Sequence, residues 1–593
     1  MTDRQIQVLA VAVVVGAWFA WPVPGPAAFG AVVIALLSRR HLLMTAALAL
    51  AAGGLAAGAL HGLDGVNEGL WAGSVQLLAD PEVDGYGATR AVARAGDHHV
   101  ELVARGVTAG ALGRRRSGQR LAVEGRIEPL GRSSAWLRHR HVAARLTLAR
   151  VGEWTPGAPL ARAANAYRRR LAAGAEVGLG RRDGALLMGL TVGDDRDQPA
   201  GLTDAFRASG LTHLLAVSGQ NVAFVLAVVG PLLTRLGPRT RLAVALAVLA
   251  FFAVVTRLEP SVLRATAMAG GAVLARVWGR EASAPRLLGV AVVAVVLVDP
   301  LLVRSLAFLL SVAATWGIVR ISGPMAVRIP GPTWVREPIA VTVAAQVAVA
   351  PIQIWTFDGL PLSSLPANLL AGPAAGPAMV WGMTAGFVAG FTGDAVAMVL
   401  LSPTKLLVGW IAVVAERSAD LPVGSLGRPH LLTAGLLAAS WWSLCRWVPG
   451  RARWIGRFTA MMAVGLVLHA ALAGDLPRNE PLADVWTLET GGASLVVVEL
   501  PSSGAPERLL EDLRRADVGR IDVVLASRGT RSQGRMVAAL HDRHAVSLVL
   551  APAHHQVVTA RTPPVGMEVR TGGVGIRVEA VDPELVVTIA GGR

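Results

Sequence analysis

Cysteine and lysine are almost absent from this chain of 593 residues. Its single cysteine, Cys445, excludes a disulfide within the chain and any metal site built from several cysteines. Lys405 is its one lysine, so arginine carries nearly all of the positive charge, and the planar guanidinium group is suited to phosphate. Charged residues make up 16% of the chain, whereas a soluble domain has about 25%. Together with 53% apolar residues, this shortage of charge excludes a soluble globular protein.

Apolar runs of membrane-spanning length begin near the N-terminus. They cover residues 8–21, 27–37 and 42–60. A single short apolar run with a small-residue cleavage site is not found, so we predict three N-terminal transmembrane helices within residues 1–63 instead of a removable signal peptide. Arg39, Arg40 and His41 form a basic loop after the second run. The positive-inside rule predicts that this loop is cytoplasmic and that residue 61 lies outside.

The apolar runs stop in residues 64–156, where short alternating segments punctuated by glycine are typical of β-strands. We predict a small extracytoplasmic β module, OB-like in fold. Residues 86–150 contain 13 arginines and four acidic residues, a balance that favours binding to a phosphate backbone. The alternative is a solvated surface near anionic lipid headgroups. The predicted DNA-binding residues are Arg114, Arg115, Arg116, Arg120 and Arg126.

Three segments complete the predicted organisation. Residues 157–182 place arginines among alanines and leucines and predict an amphipathic interfacial helix. Residues 183–474 carry ten apolar runs, the last two at 430–446 and 458–473, and predict the main transmembrane domain. The basic loop 446–457 is predicted to be cytoplasmic, which places residues 475–593, an α/β module, outside.

Polar residues inside the apolar block are the strongest functional signal, because a polar group in hydrocarbon is costly unless it faces water or other helices. The densest group lies in residues 211–222, where we predict a helix broken at Ser218-Gly219 and lining a wet cavity. The alternative is one helix whose polar groups bond to neighbouring helices. The predicted channel-lining residues are His213, Ser218, Gly219, Gln220, Asn221, Arg264, Gln346 and Asn368.

Two of these candidates have a second interpretation. Arg264 lies about one turn inside an apolar run and either lines an anion passage or snorkels to the headgroups. The prolines near Gln346 and Asn368 mark either a substrate path or simple kinks.

Common catalytic patterns are missing. A glycine-rich phosphate loop ending in lysine is not present, which excludes nucleotide hydrolysis by that route. The paired histidines of residues 98–99, 139–141 and 554–555 lack the carboxylates and spacing of a hydrolytic metal centre. We predict no cofactor and no metal site.

Several motifs resemble the competence domain of the ComEC family of bacterial DNA-uptake channels. The matching stretches are residues 184–194, 205–222, 260–265, 299–311 and 350–368. His213, Ser218 and Gly219 match the family's core motif, while Gln220 and Asn221 stand where many members have an apolar residue and a histidine.

The resemblance implies a multi-pass protein of the cytoplasmic membrane that draws single-stranded DNA into the cytoplasm during natural transformation. The partners that it implies are single-stranded DNA, membrane lipid, a DNA receptor and a cytoplasmic ATP-driven translocase. The resemblance does not decide whether the protein forms a homo-oligomer. The family's C-terminal module resembles a metallo-β-lactamase. Here the strand of residues 521–526 runs into residues 527–534 without metal ligands, so the module is predicted to be degenerate and not an enzyme.

The sequence is also compatible with two other classes of function. A secondary transporter of a small anionic or lipid-linked solute also uses a broken helix and a buried arginine. A membrane-bound nuclease would need metal ligands, for which only His541, His544, His554 and His555 are at hand. The basic outer module favours a polymeric phosphate over a small solute.

Overall fold

The computed structural model describes residues 2–436, residue 465 and residues 484–590, apart from short gaps. The gaps are residues 39, 65, 85–86, 278–282, 358, 422, 491–492, 502–503, 516–517, 519 and 572–573. Several predictions therefore lie wholly or mostly outside the described residues: those on Arg39, Cys445, the last two apolar runs and the basic loop 446–457.

Three helices open the chain: α1 (Asp3–Phe19), α2 (Gly25–Ser38) and α3 (His41–His61). Thr2 caps α1 through its side chain, which accepts a hydrogen bond from the Gln5 N–H. The helices α1 and α3 pack closely, since a Cβ on Gly16 would lie 2.1 Å from the Ala49 carbonyl oxygen.

The predicted β module is a ring of strands around a core of leucine and valine side chains. Its elements are β1 (Gly69–Leu77), β2 (Glu82–Val83), β3 (Thr89–Ala95), β4 (His98–Ala104), α4 (Val107–Gly113), β5 (Arg120–Pro129), a 3₁₀ helix (Arg132–Arg140) and β6 (Val142–Thr155). Strands β1, β5, β6, β4 and β3 pair in that order, and β3 also pairs with β1, which closes the ring. The β4–β6 pair is parallel and the other pairs of the ring are antiparallel.

A helical core follows the barrel. Its first half is α5 (Pro159–Leu179), α6 (Arg181–Val192), α7 (Ala200–Ala208), α8 (Thr212–Leu215), α9 (Gly219–Leu233), α10 (Pro238–Val255), α11 (Pro260–Val277) and α12 (Ala284–Val298). Its second half is a 3₁₀ turn (Pro300–Arg304), α13 (Leu306–Gly317), α14 (Gly323–Ala326), α15 (Thr333–Phe357), α16 (Ser364–Ala389) and α17 (Asp394–Ala419). The short strands β7 (Leu360–Pro361) and β8 (Ser425–Leu426) pair beside α16.

Helix α5 packs against the core helices along one face. A Cβ on Gly174 would lie 2.2 Å from the Gly386 carbonyl oxygen of α16, and one on Gly178 would lie 2.9 Å from the Ala397 carbonyl oxygen of α17. Arg162, Arg169 and Arg170 of α5 are exposed, whereas Arg168 is buried.

Within the described residues, five helices are long and apolar enough to cross a membrane. They are His41–His61, Pro238–Val255, Leu306–Ala326, Thr333–Phe357 and Asp394–Ala419. Three shorter apolar helices accompany them: Gly25–Ala35, Gly219–Leu233 and Ala284–Val298. The prediction of a polytopic helical membrane protein is confirmed at this level.

The C-terminal module is built in layers. Its elements are β9 (Asp484–Thr490), β10 (Ala493–Glu499), α18 (Pro506–Arg515), β11 (Arg520–Leu525), α19 (Arg531–Arg543), β12 (Ala545–Leu550), β13 (Glu568–Thr571), β14 (Val574–Ala580) and β15 (Val586–Ala590). Strands β12, β11, β10 and β9 form one sheet, parallel except at β9, and β13–β15 form a second. One apolar core lies between the first sheet and the two helices, and another lies between the sheets.

Candidate functional site

The densest polar motif of the sequence forms a broken helix, as predicted. Helix α8 ends at Leu215, the chain extends through Ala216 and Ser218, and α9 begins at Gly219. Ser218 caps α9, because its Oγ accepts a hydrogen bond from the Gln220 N–H at 3.2 Å. The break therefore sets a helix N-terminus, which carries partial positive charge, inside the helical core.

Exposed side chains cluster around the break. Thr212, His213 and Gln220 keep large accessible surfaces, although they lie next to the buried residues Leu214 and Leu215. This alternation places polar groups on an open face of the segment and apolar groups against the core, while the lining role of His213 and Gln220 stays a prediction. Ser218 and Gly219 are partly buried.

Asn221 does not line a passage in this structure, which corrects its assignment. Its side chain is 0% exposed, and its Nδ2 donates to the Leu190 carbonyl oxygen at 2.9 Å. Its Oδ1 accepts from the Ser218 Oγ at 3.1 Å. The amide thus ties the start of α9 to the end of α6, because a buried amide is stable only when its hydrogen bonds are made.

Arg264 lies beside the break and does not snorkel. It is 5% exposed, and its Nε donates to the Ser311 Oγ at 3.0 Å while its Nη1 lies 3.1 Å from the Met268 sulfur. A Cβ on Gly219 would lie 3.0 Å from the Arg264 Nη2. None of the described carboxylates forms an ion pair with this guanidinium, so a buried positive charge faces the start of α9.

Gln346 and Asn368 converge on one residue of α16. The Gln346 Nε2 donates to the Ser364 Oγ, and the Asn368 Nδ2 donates to the Ser364 carbonyl oxygen at 2.8 Å. Ser364 is buried, and a Cβ on Gly210 would lie 2.4 Å from the Ser364 Cβ. Both amides are partly buried. Through Ser364 they hold α16 against Gly210, just before the broken helix.

A buried ionic cluster that sequence reasoning missed joins the barrel to the helical core. Arg168 of α5, 3% exposed, lies at its centre. Its Nη2 is 2.8 Å from the Asp194 Oδ2 and 3.2 Å from the Asp80 Oδ2. Its Nη1 donates to the carbonyl oxygens of Val192 and Val255. One side chain thereby connects the barrel, α5, α6 and α10.

Arg257 completes the cluster from the α10–α11 loop. Its Nη2 lies 2.9 Å from the Asp80 Oδ1 and donates to the Asn165 Oδ1 at 2.8 Å. Arg257 and Leu258 both adopt left-handed backbone conformations, with φ of 62° and 59°, which non-glycine residues rarely adopt. Burial acts to raise the pKa of Asp80, but Arg257 and Arg168 outweigh it and hold this pKa below its ordinary value.

Other carboxyl groups at the same junction have the opposite shift. Loss of surrounding water, with repulsion from Asp195, raises the pKa of Glu82 to about 7. Burial also raises the pKa of Asp194, Asp195 and Glu259. Arg140 opposes the shift at Glu82 and Glu259. The barrel–core junction therefore contains one acid, Glu82, with a pKa of about 7.

The structure separates the predicted DNA-binding arginines. Arg114, Arg120 and Arg126 are exposed on the barrel. The Arg115 guanidinium lies over the Trp154 ring, 4.8 Å from its centroid. Arg116 lies 3.5 Å from the Asp194 Oδ2 and belongs to the junction. Arg116 therefore has a carboxylate partner in the protein, and its contact with phosphate stays a prediction.

A second basic segment of the barrel was not singled out from the sequence. The 3₁₀ helix Arg132–Arg140 carries Trp136, which is 58% exposed, and the Arg140 guanidinium lies 5.7 Å from its ring centroid. An exposed aromatic ring beside arginine is typical of single-strand binding surfaces. The signal in the sequence was a tryptophan inside a basic loop between two strands.

Loop 527–534 of the C-terminal module is held by an amide. Gln533 is 0% exposed; its Oε1 accepts from the N–H groups of Arg528 and Thr530, and its Nε2 donates to the Leu500 carbonyl oxygen at 2.9 Å. His541 faces the Thr559 Oγ1, and the His555 Nδ1 accepts from the Val557 N–H. Among the residues described, no group of three or more metal-ligand side chains comes together.

The helical core is similar to a known family. Residues 190–454 match the family described as Competence protein. The matching part of the chain contains the helix break, Arg264, Gln346 and Asn368. Neither the curated proteins nor the solved structures provide a match.

Proposed function

We propose that this protein is a channel of the cytoplasmic membrane that conducts single-stranded DNA into the cytoplasm during natural transformation. The observation that carries the proposal is the helix break at Ser218-Gly219 inside the part of the chain that matches the Competence protein family, with exposed polar groups on one side and the buried cation Arg264 on the other. Irregular backbone at membrane depth is tolerated where it lines a water-filled cavity.

The barrel supports a polymeric anion as the substrate. Its ring of five strands, with one parallel pair and a helix between β4 and β5, is the arrangement expected of an OB-like module. Exposed arginines and Trp136 lie on this module. Such a surface binds single strands through phosphates and base stacking.

The protein acts with partners in this proposal. A receptor delivers DNA outside the membrane, and an ATP-driven translocase pulls the strand from the cytoplasm, because the chain has no phosphate loop of its own. The C-terminal module is a degenerate metallo-β-lactamase-like domain that binds without hydrolysis. Its layered sheets and the amide-held loop at Gln533 support this view.

The test compares two adjacent positions of the motif. In a chain with Cys445→Ser, Gln220→Cys should react with a membrane-impermeant thiol reagent, because residue 220 is exposed. Asn221→Cys is the matched control and should stay protected, because residue 221 is buried. Labelling of residue 220 should also block uptake of labelled DNA. Equal protection of both cysteines, or unchanged DNA uptake after deletion of the gene, would contradict the proposed channel.

A further inference from the structure

A cleft of about 450 Å³ lies between the barrel and the C-terminal module. Its walls come from β2, β3 and α4 of the barrel and from the start of α19. The residues that matter for its chemistry are Gly87, Gly106, Gly110, Gly113, Arg114 and Arg531. The volume falls within the range of ligand-binding sites in proteins.

Direct contacts fix the two walls of the cleft. The Arg535 Nη1 of α19 donates to the Asp84 carbonyl oxygen of the barrel at 3.2 Å. At the other end of α19, the Arg543 Nη2 lies 2.7 Å from the Asp420 Oδ1, and its Nε lies 4.0 Å from the Asp204 Oδ2 of the helical core. The C-terminal module therefore rests on both the barrel and the helical core.

The charge on the cleft is of one sign. Arg114 and Arg531 are its charged lining residues among those the structure describes, and none of the described carboxylates lines it. Both arginines are exposed, and neither forms an ion pair with any described residue. The Arg531 Nε donates to the Gln556 Oε1 at 2.9 Å, which orients its guanidinium. Two guanidinium groups on opposite walls suit two phosphates of one strand.

Four glycines of the barrel line the cleft beside Val83, Thr89, Ala109 and Arg114. A Cβ on Gly106 or Gly110 would meet no atom within 4 Å, so the space in front of them is open. Gly87 and Gly106 have φ of 85° and 58°, conformations that favour glycine. At the glycines, a sugar-phosphate backbone can approach the main chain closely.

We propose that this cleft binds the backbone of a single DNA strand, with phosphates on Arg114 and Arg531. The identity of the polymer rests on the proposed function, whereas the site itself rests on the cleft. The proposal gives a role to loop 527–534 and the start of α19, which lack the metal ligands of a metallo-β-lactamase. In this proposal, this edge of the C-terminal module binds the DNA strand and does not cut it.

The first test measures binding to the purified full-length protein in detergent. The probe is a fluorescein-labelled oligothymidylate of about 16 nucleotides. Arg114→Gln combined with Arg531→Gln should weaken binding about tenfold at low salt and reduce the slope of log affinity against log salt by about 1.4, the value for two phosphate contacts on a single strand. The matched control is Arg150→Gln combined with Arg577→Gln, which removes one exposed arginine from each module outside the cleft. An equal loss in the control would overturn the site in favour of diffuse charge.

The second test fills the cleft without changing its charge. Gly110→Leu places a side chain in open space on a helix and should weaken binding about tenfold without lowering thermal stability. Ala122→Leu, on the exposed face of β5, is its control and should bind normally. Normal binding by Gly110→Leu would overturn the proposal.

Competition separates a polymer site from a small-anion site. Inorganic phosphate and pyrophosphate should compete with the oligonucleotide only as strongly as chloride does at the same ionic strength. Displacement by micromolar pyrophosphate would overturn the assignment to a strand. Unchanged DNA uptake after gene deletion would instead overturn the proposed function, while binding at the cleft, measured on purified protein, would stand.

Discussion

Arg168 and Arg264 are both buried in helices, at 3% and 5% exposure, yet their surroundings differ. Arg168 contacts two carboxylates and two carbonyl oxygens, and it joins four segments of the chain. Arg264 contacts a hydroxyl and a sulfur, with no described carboxylate beside it. The contacts of Arg168 are those of a structural ion pair, whereas we propose that Arg264, with no described carboxylate beside it, contacts a passing anion.

The largest effect on stability is expected from substitution of Arg168, the buried arginine with carboxylate partners. Arg168→Met removes the cation shared by Asp80 and Asp194 and leaves the carbonyl oxygens of Val192 and Val255 without their donor. It should lower the free energy of unfolding by about 3 kcal/mol, although Asp80 keeps Arg257 and Asp194 keeps Arg196. Denaturant unfolding of the purified protein measures it. Arg169→Met, exposed on the same helix, is the control and should change stability by less than about 0.5 kcal/mol. Similar stabilities for the two variants would contradict the structural role of Arg168.

Substitution of Arg264, which has no described carboxylate partner, should reduce DNA uptake more than it reduces stability. In the proposed channel, Arg264→Gln removes a hydrogen bond from a charged group to a passing anion. Such a bond contributes about 1.5–3 kcal/mol, so the expected loss of DNA uptake is about tenfold or more. The folded state should tolerate the change, because the charge has no described carboxylate to leave unpaired. Transformation frequency and thermal unfolding together test this. A large loss of stability with Arg264→Gln would make this arginine structural like Arg168.

A smaller effect on stability is expected from a substitution at Gly219, which lies close to Arg264. Gly219→Ala places a Cβ 3.0 Å from the Arg264 Nη2 and 3.1 Å from the Ala265 Cβ, and should destabilise the protein by about 1 kcal/mol, since the guanidinium end can shift. Gly230→Ala in the same helix meets no atom within 4 Å and should be neutral or stabilising. The same effect from both substitutions would show that the guanidinium is not held against the break.

The junction around Arg168 should also respond to pH. Glu82 has its pKa raised from 4.5 to about 7, so the neutral form is favoured in the folded state and stability falls as pH rises between these values. Glu82→Gln should remove that slope, whereas Glu124→Gln on the outer face of the barrel should keep it. Melting temperature measured from pH 4 to pH 8 checks the expectation. A slope that persists in Glu82→Gln would assign it to another group.

Local patterns allowed the elements to be predicted. The alternating segment 119–128 became β5 at Arg120–Pro129, and the helix break at Ser218-Gly219 followed from a capping serine and a glycine. The ionic cluster could not be predicted, because Asp80 and Arg168 are 88 residues apart and leave no periodic signal. Asn221 was misassigned because a polar residue in an apolar run looks the same whether it faces water or bonds the end of another helix.

The two left-handed residues that follow α10 connect the barrel to the helix that carries Arg264. Each such conformation costs about 1–3 kcal/mol and persists only when its surroundings hold it. Here Asp80 of the barrel pairs with Arg257, and α11 begins two residues after Leu258. The direction in which α11 leaves this loop is therefore set in part by a carboxylate of the barrel.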